Sequence, residues 1–173
     1  MLFRSGHLQL RAPGGIRGIN HEQQQLGPRA EVVLGNHDLH LIARADGLAA
    51  AKDLDTVEDV LAAKDRNELV DWLASRKLIY RDGQRVLVHA GLLPSWTVAD
   101  AEREARRLET TLRDKKARAK VLGKQGFDPS LKALTTLRTV KDDDEPCKFS
   151  GPPAEAPPGC RRSEEHTSEL QSH

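Results

Sequence analysis

Four side chains that can bind a metal ion or transfer a proton lie in two short stretches of the 173-residue chain: Asn36, His37, Asp38 and His89. The first three follow directly after Gly35, and the fourth comes directly after the run RVLV at 85–88. An amide oxygen and an imidazole nitrogen suit divalent ions such as Mn²⁺, Co²⁺, Fe²⁺ or Zn²⁺. A histidine beside a carboxylate is suited to acid–base chemistry. The two stretches are therefore candidates for one metal-dependent or proton-transferring site.

The first stretch follows a predicted strand and opens a predicted helix. Residues 31–34 (EVVL) have the apolar, β-branched composition of a strand buried on both faces, and Gly35 allows a sharp turn after it. From Leu39 onward, apolar residues recur every three or four positions, which predicts a helix that begins in the 36–38 turn and ends near Gly47. Polar side chains at the carboxyl end of a strand are typical of α/β sites, and a helix N-terminus there favours phosphate.

A β-hairpin is predicted to bring His89 to the same end of the sheet. Strand-like runs at 78–81 and 84–89 flank Asp82 and Gly83, and glycine supplies the positive φ that a two-residue turn needs. The remaining elements are helices with N-terminal caps expected at Asp55 or Thr56, at Asp65 and at Thr97, and a short helix or strand at 131–137.

Composition favours one domain without a strongly charged partner. Lys and Arg total 27 against 26 Asp and Glu, and the net charge of +1 gives no case for nucleic acid or membrane. The basic run at 113–120 is interpreted as a solvated helix face, and the 38% hydrophobic content predicts a thin core. No signal peptide or membrane-length apolar run is present, so a cytoplasmic protein is expected. Cys147 and Cys160 both lie in a Pro-rich tail, and they are interpreted as cytosolic free thiols because one bridge there would close only a loop.

The two ends of the chain resemble translated sequencing adapter. Residues 162–172 can be back-translated to a common short-read adapter, and residues 2–5 can be written as the reverse complement of the bases that encode 162–165. An insert flanked by adapters would show this relationship at its ends. Both end segments are therefore interpreted as artefacts and left out of the prediction of the fold.

Two motifs carry a family resemblance, namely GNHD at 35–38 and VHAG at 88–91. The stretches GNHDLHLIA, NELVDWLASRKLIY and VLVHAGLLPSW follow one another across 35–96, and KFSGPPAEAPPGCR lies downstream. GNHD alone is moderately specific, whereas the full ordered set is a strong signature. The chain resembles the symmetrical bis(5'-nucleosyl)-tetraphosphatase (diadenosine tetraphosphatase) family of the calcineurin-like metallophosphoesterase superfamily. The resemblance implies an α/β fold, in which part of a four-layer sandwich packs helices on mixed β-sheets.

The resemblance identifies 26–140 as a metallophosphoesterase domain fragment. Together with the end sequences and the composition, this gives the expected organisation: 1–5 adapter-like artefact, 6–25 unassigned and irregular, 26–140 domain fragment, 141–161 a mobile segment rich in Pro and Gly, and 162–173 adapter-like artefact. The family's Asp-x-His-Gly and Gly-Asp-x-Val motifs are absent upstream of the GNHD motif, and a later Gly-His motif would lie beyond Arg161. The resemblance therefore implies a fragment that lacks its N-terminal strands and C-terminal part. Leu34 and Val88 are then expected to face an unfinished core.

By resemblance, Asn36 and His89 ligate one of two divalent ions (Mn, Co, Fe or Zn) in the full-length parent. His37 protonates the leaving phosphate oxygen, and Asp38 orients His37. The implied substrate is a dinucleoside polyphosphate, with diadenosine tetraphosphate cleaved symmetrically into two ADP. Neither a membrane nor nucleic acid is an expected partner, and the oligomeric state is left open. Because further metal ligands of the family are absent, the chain itself is expected to be inactive.

Other interpretations of the same residues stay open at this point. Asn36 alone is more often a turn residue than a ligand, Asp38 could be only a favourable charge at a helix N-terminus, and His89 could be a hydrogen-bonded strand end. His40 lies outside the motif and is interpreted as structural or solvent-facing. The runner-up enzyme is a serine/threonine protein phosphatase of the same superfamily, although HAG in place of HGG favours the first family. A truncated, non-catalytic product is the non-enzymatic alternative.

Overall fold

The structure is a computed structural model that describes residues 2–5, 25–27, 30–52, 55, 57–123, 126–137, 139–147, 155 and 157–162. Its described strands and helices are, in chain order, β1 Leu2–Ser5, β2 Ala30–Val33, α1 Asn36–Ala45, α2 Glu58–Leu61, α3 Arg66–Ala74, β3 Ile79–Asp82, β4 Arg85–Val88, α4 Val98–Arg113, α5 Ala119–Leu122, α6 Pro129–Thr135, β5 Thr139–Lys141 and β6 Cys160–Arg162. The predicted α/β class is confirmed. The four-layer sandwich remains a prediction.

The described strands form three pairs, and two of these adjoin near the candidate site. β1 pairs with β2 in parallel, β3 pairs with β4 antiparallel, and β5 pairs with β6 antiparallel. Lys77, just before β3, forms a parallel bridge with Val33 at the end of β2. The carbonyl of Lys77 also accepts a hydrogen bond from the Leu34 N–H at 2.8 Å. The end of β2 is thereby joined to the start of the β3–β4 hairpin.

β1 lies in the segment interpreted as adapter. Its residues pair in register with β2, from Leu2 opposite Ala30 to Ser5 opposite Val33. The predicted segments 6–25 and 162–173 lie largely outside the described residues. The proposed division of the chain into segments therefore stays a prediction.

The hairpin forms as predicted, but its turn is shifted by one residue. Asp82 pairs with Arg85, so the turn residues are Gly83 and Gln84 rather than Asp82 and Gly83. Gly83 has a φ of 60°, and Gln84 is not among the described residues with positive φ. Positive φ at the first turn residue alone fits a type II′ turn, whose twist matches that of the flanking strands.

The helix starts are partly as predicted. Thr97 caps α4, because its hydroxyl accepts a hydrogen bond from the Asp100 N–H while Asp100 bonds back to the Thr97 N–H. Asp65 is the N-cap residue of α3 as predicted, although its side chain makes no capping hydrogen bond. The N-cap residue of α2 is Val57, so the cap expected from Asp55 is wrong, and the alternative Thr56 lies outside the described residues. Asp55 instead binds side chains of α1. No helix in the described parts of the chain is long and apolar enough to cross a membrane.

The core lies between α1, α3, α4 and the first two strand pairs. The described hydrophobic side chains with no exposed surface are Val33, Leu34, Leu39, Leu41, Ile42, Ala43, Val60, Ala74, Leu78, Ala101, Ala105, Leu108, Leu112, Leu131, Leu134 and Val140. Leu34 is fully enclosed, so the expectation that it faces an unfinished core is wrong. Val88 is only partly buried at the edge of the same cluster.

Two further expectations are corrected by contacts between distant parts of the chain. Cys147 and Cys160 form a disulfide with a Cα–Cα distance of 6.0 Å, and so are not free thiols. They meet because both flank β5: Cys160 pairs with Lys141, and the Cys147 N–H donates to the Thr139 carbonyl. This segment, 141–161, was predicted to be mobile, and its mobility stays a prediction.

The basic run at 113–120 is not a uniformly solvated face. Arg118 is 1% exposed and lies in the turn between α4 and α5. Its guanidinium pairs with Asp46 at 3.2 Å and Asp71 at 2.9 Å, and its Nε donates to the Leu112 carbonyl at 2.6 Å. A buried guanidinium is stable here because carboxylates and a carbonyl accept its hydrogen bonds.

Candidate functional site

The ends of β2 and β4 meet and bring the two predicted metal ligands into contact. Asn36 is the first residue of α1, two residues after the Leu34 bond to the hairpin, and His89 directly follows β4. The Nε2 atom of His89 lies 3.2 Å from the Oδ1 atom of Asn36. The two residues are 53 positions apart, so the strand pairing accounts for their contact.

Gly35 is required by the close approach of His89. A Cβ atom at this position would lie 2.6 Å from Cε1, 2.7 Å from Nδ1 and 2.9 Å from Nε2 of the imidazole. The backbone of Gly35 has φ −111° and ψ 178°, which other residues also adopt. The need for glycine is therefore steric, and the sharp turn proposed from the sequence does not explain it.

Asp38 supports the turn that carries Asn36. It is 4% exposed, and its Oδ2 accepts a hydrogen bond from the Gly35 N–H at 2.6 Å. Burial raises the pKa of Asp38 to about 7, although the bond from Gly35 acts in the opposite direction. A carboxyl with this pKa exchanges its proton near neutral pH.

The predicted contact of Asp38 with His37 is not what the structure shows. The carboxylate of Asp38 is bonded to the Gly35 backbone, whereas His37 is exposed on the first turn of α1. His37 is therefore accessible to solvent where the ends of β2 and β4 meet, but Asp38 does not orient it. Asp38 acts on the geometry of the turn, through Gly35.

The loop after His89 is fixed from the other side. The Ala90 N–H donates to the Leu134 carbonyl of α6 at 3.0 Å. Leu92, two residues further on, is 1% exposed and belongs to the core. The backbone around His89 is thus held by the hairpin before it and by α6 and the core after it. The sequence holds no local signal for the Leu134 contact.

His40 has a structural role on the outer face of α1. Its Nε2 lies 2.8 Å and 3.0 Å from the two carboxylate oxygens of Asp55. Arg44 also binds Asp55, and its second terminal nitrogen lies 2.5 Å from Glu58. The hydrogen bond from His40 is the main cause that lowers the pKa of Asp55 to about 2. This cluster ties the loop before α2 to α1, which confirms the structural interpretation of His40.

The Asn36–His89 pair fits two neighbouring ligands of one ion. With metal–ligand bonds of about 2.1 Å, adjacent donors around an ion lie about 3–3.5 Å apart, and the observed separation is 3.2 Å. An amide oxygen with an imidazole nitrogen is a donor set for a divalent transition metal. Within the described residues no group of three or more His, Cys, Asp or Glu side chains is placed to hold a metal. The described residues thus bring two metal-competent side chains, Asn36 and His89, into contact.

The geometry defines an α/β protein with metal-competent donors at adjoining strand ends, a common location for sites in α/β sheets. The chain is similar to curated proteins named "Bis(5'-nucleosyl)-tetraphosphatase, symmetrical". It is 44% identical over 112 residues to that of Nitrosospira multiformis and 45% identical over 111 residues to that of Methylococcus capsulatus, in each case 40% of the relative and 65% or 64% of this chain. No family model matches the chain. The resemblance predicted from the motifs is confirmed.

A longer match extends the similarity beyond the central segment. The relative of the same name from Nitrosococcus oceani is 40% identical over 148 residues, which cover 82% of this chain and 53% of the relative. Residues 26–140 make up only about two thirds of the chain. The matched stretch therefore includes residues outside 26–140. The chain spans about half, or less, of the length of the curated relatives it matches.

Proposed function

We propose that the chain is part of a metal-dependent hydrolase that cleaves a dinucleoside tetraphosphate symmetrically, with diadenosine tetraphosphate giving two ADP. The observation that carries the proposal is the 3.2 Å contact between Asn36 Oδ1 and His89 Nε2 at the junction of β2 and β4. The similarity to proteins whose name states this reaction supports it. For the whole protein we propose the metallophosphoesterase sandwich and a cytoplasmic location.

Asn36 and His89 would hold one divalent ion, with Mn²⁺, Co²⁺, Fe²⁺ and Zn²⁺ as the candidates, and the full-length parent would hold a second. A bound ion of this kind lowers the pKa of water and polarises a phosphoryl oxygen. Gly35 lets the imidazole of His89 approach Asn36. The register of the β3–β4 pair would set the position of His89 relative to the end of β2. Together, these features fix the two donors before any ion binds.

The first turn of α1 would receive the phosphate chain. The N-terminus of this ten-residue helix presents backbone N–H groups and a positive dipole end, both of which favour anions. His37 is exposed there and would donate a proton to the leaving phosphate oxygen. Asp38 would contribute by holding the Gly35 N–H, and hence the start of the helix, in place.

The chain alone is proposed to be inactive. Two donors do not hold a pair of ions against water, and the described residues add no cluster of three metal-competent side chains. Activity would therefore need further ligands besides Asn36 and His89.

Hydrolysis of diadenosine tetraphosphate with Mn²⁺, followed by quantification of ADP, tests the proposal. The chain is compared with a version extended at both ends by the parent's own sequence. The extended version should produce ADP and the chain should not. In the extended version, Asn36→Ala and His89→Ala should each lower the rate by at least about 100-fold, since outer-shell groups of metal sites already cost 10–100-fold.

Asn67→Ala is the matched control, because Asn67 is exposed on α3, and it should leave the rate unchanged. An active chain without extensions would contradict the proposed need for further ligands. An extended version that hydrolyses phosphopeptides but not the dinucleotide would instead favour the protein phosphatase. Inactivity on both would favour a non-catalytic protein.

A further inference from the structure

Leu78 lies at the meeting point of the backbone segments that carry the Asn36–His89 pair. Its neighbour Lys77 bridges to the end of β2, where the Lys77 carbonyl accepts the Leu34 N–H. Its other neighbour, Ile79, pairs with Val88, the last residue of β4 before His89. Any shift of Leu78 would therefore move β2 relative to β4, and with it the separation of the two donors.

Glu109 of α4 holds this meeting point from outside the sheet. Its Oε1 accepts a hydrogen bond from the Leu78 N–H at 2.8 Å, and the two residues are 31 positions apart. Glu109 is 8% exposed, and its Oε2 lies 3.7 Å from Arg113. A buried hydrogen bond between a carboxylate and a backbone N–H is charge-assisted, and little water competes with it.

Packing alone does not explain a glutamate at position 109. The buried stripe of α4 around it consists of Ala101, Ala105, Leu108 and Leu112. A leucine at 109 would bury more apolar surface and would cost no carboxylate desolvation. What glutamate adds is a directed acceptor for the Leu78 N–H.

We propose that Glu109 is a positioning residue for the Asn36–His89 pair, acting through the backbone of Leu78. It touches neither donor. It fixes the start of β3 against α4, so that β2 and β4 lie on either side of a strand that cannot slide. The inference rests on the proposed function only in taking this pair as the site, and its test uses no activity.

The test measures local geometry in the full chain by NMR. Glu109→Asp keeps the charge but shortens the side chain by about 1.5 Å, the length of one carbon–carbon bond. Glu109→Gln keeps the reach and one acceptor oxygen. Glu104→Gln is the control, because Glu104 lies on the same helix and pairs with Arg107 on the exposed side. The readouts are amide hydrogen exchange at Leu34 and Leu78 and the ¹⁵N shifts of the His89 ring.

Glu109→Asp should speed exchange at Leu34 and Leu78 by about tenfold and shift the His89 ring signals, because the shorter side chain no longer reaches the Leu78 N–H and the hydrogen bond is lost. Glu109→Gln should restore both readouts to near the wild-type values, and Glu104→Gln should change neither. The Leu108 amide in α4 should keep its exchange rate in all three variants. Equal acceleration at Leu108 would show a general loss of stability and overturn the proposal. Unchanged junction amides in Glu109→Asp would overturn it as well.

If Glu109→Asp does not fold, Glu109→Leu removes the acceptor while keeping a side chain that packs. Faster exchange at Leu34 and Leu78 with shifted His89 signals then supports the proposal, and unchanged signals overturn it. These outcomes are independent of hydrolysis. A failure of the proposed function would leave the effect of Glu109 on the junction intact.

Discussion

The junction at the ends of β2 and β4 and the turn between α4 and α5 are stabilised by different means. The junction depends on close approach, since Gly35 leaves no space for a Cβ beside His89, and on backbone N–H groups that donate to a carbonyl and to the side chains of Asp38 and Glu109. The turn depends on charge, since Arg118 is buried and binds Asp46 and Asp71. The comparison teaches that the candidate site should respond to added volume, whereas the distant turn should respond to loss of charge.

Loss of the buried charge should have the largest effect. Arg118→Leu leaves the carboxylate of Asp46, which is 8% exposed, without its cation and removes the donor to the Leu112 carbonyl. The free energy of unfolding should fall by about 3–5 kcal/mol in urea titrations. Lys116→Leu, at an exposed position of the same basic run, should change it by less than about 0.5 kcal/mol. A loss below about 1 kcal/mol for Arg118→Leu would show that the turn between α4 and α5 does not depend on the buried charge.

The disulfide adds a third, covalent means of stabilisation near the C-terminal strand pair. Cys147 and Cys160 are 13 positions apart, and cross-linking a loop of this size is worth about 3 kcal/mol by its effect on the unfolded chain. Cys147→Ser should lower the free energy of unfolding by that order under oxidising conditions. Cys160→Ser and the double variant should match it, because all three lose one bond. If the loss in the double variant equalled the sum of the two single losses, each cysteine would stabilise the fold without the disulfide.

Added volume at the junction tests its dependence on close approach. Gly35→Ala places a methyl group within 2.9 Å of three imidazole atoms of His89. It should cost about 1–3 kcal/mol in urea titrations and shift the His89 ring signals in NMR spectra. His89→Ala removes the obstacle, so in that background Gly35→Ala should cost much less. An equal cost in both backgrounds would show that the ring is not the cause.

Measured per pH unit, the pH dependence of stability gives the smallest and most specific effect. Burial raises the pKa of Asp38 to about 7 from 3.8 in the unfolded chain. Between these values the folded state retains a proton that the unfolded state has lost, so its contribution to stability is full below about pH 4 and falls as pH rises to 7. Between pH 4 and 7, each increase of one pH unit should lower the free energy of unfolding by up to about 1.4 kcal/mol.

Asp38→Asn isolates this contribution, since an amide keeps an acceptor for the Gly35 N–H but does not titrate. The difference between wild type and variant, measured by urea titration at several pH values, should therefore slope with pH between 4 and 7. A flat difference over this range would contradict the raised pKa.

The parts of the fold that the sequence predicts are those set by neighbouring residues. The apolar repeat from Leu39 predicts α1, Thr97 predicts the start of α4, and Gly83 predicts the hairpin, because these signals act within a few positions. The order of strand, glycine and polar side chain predicts that Asn36 and His89 meet, since both follow strands that end at one edge.

Contacts between distant residues could not be predicted in the same way. Arg118 lies in a basic run that resembles a solvated face, and its partners Asp46 and Asp71 are 72 and 47 positions away. Asp55 resembles a helix cap, but His40 and Arg44 compete for its carboxylate. The role of Glu109 depends on how α4 packs against β3. Such pairings are decided by tertiary packing, which no local spacing encodes.

The measurement that tests the central claim most directly is a Zn²⁺ titration of the full chain followed by NMR at the His89 ring and the Asn36 side-chain amide. Their signals should shift together with one midpoint, and Asn36→Ala should weaken the response of His89. The His40 ring, which is bonded to Asp55, should respond little. A response at His40 with none at His89, or a His89 midpoint unchanged by Asn36→Ala, would contradict a shared metal site at the junction.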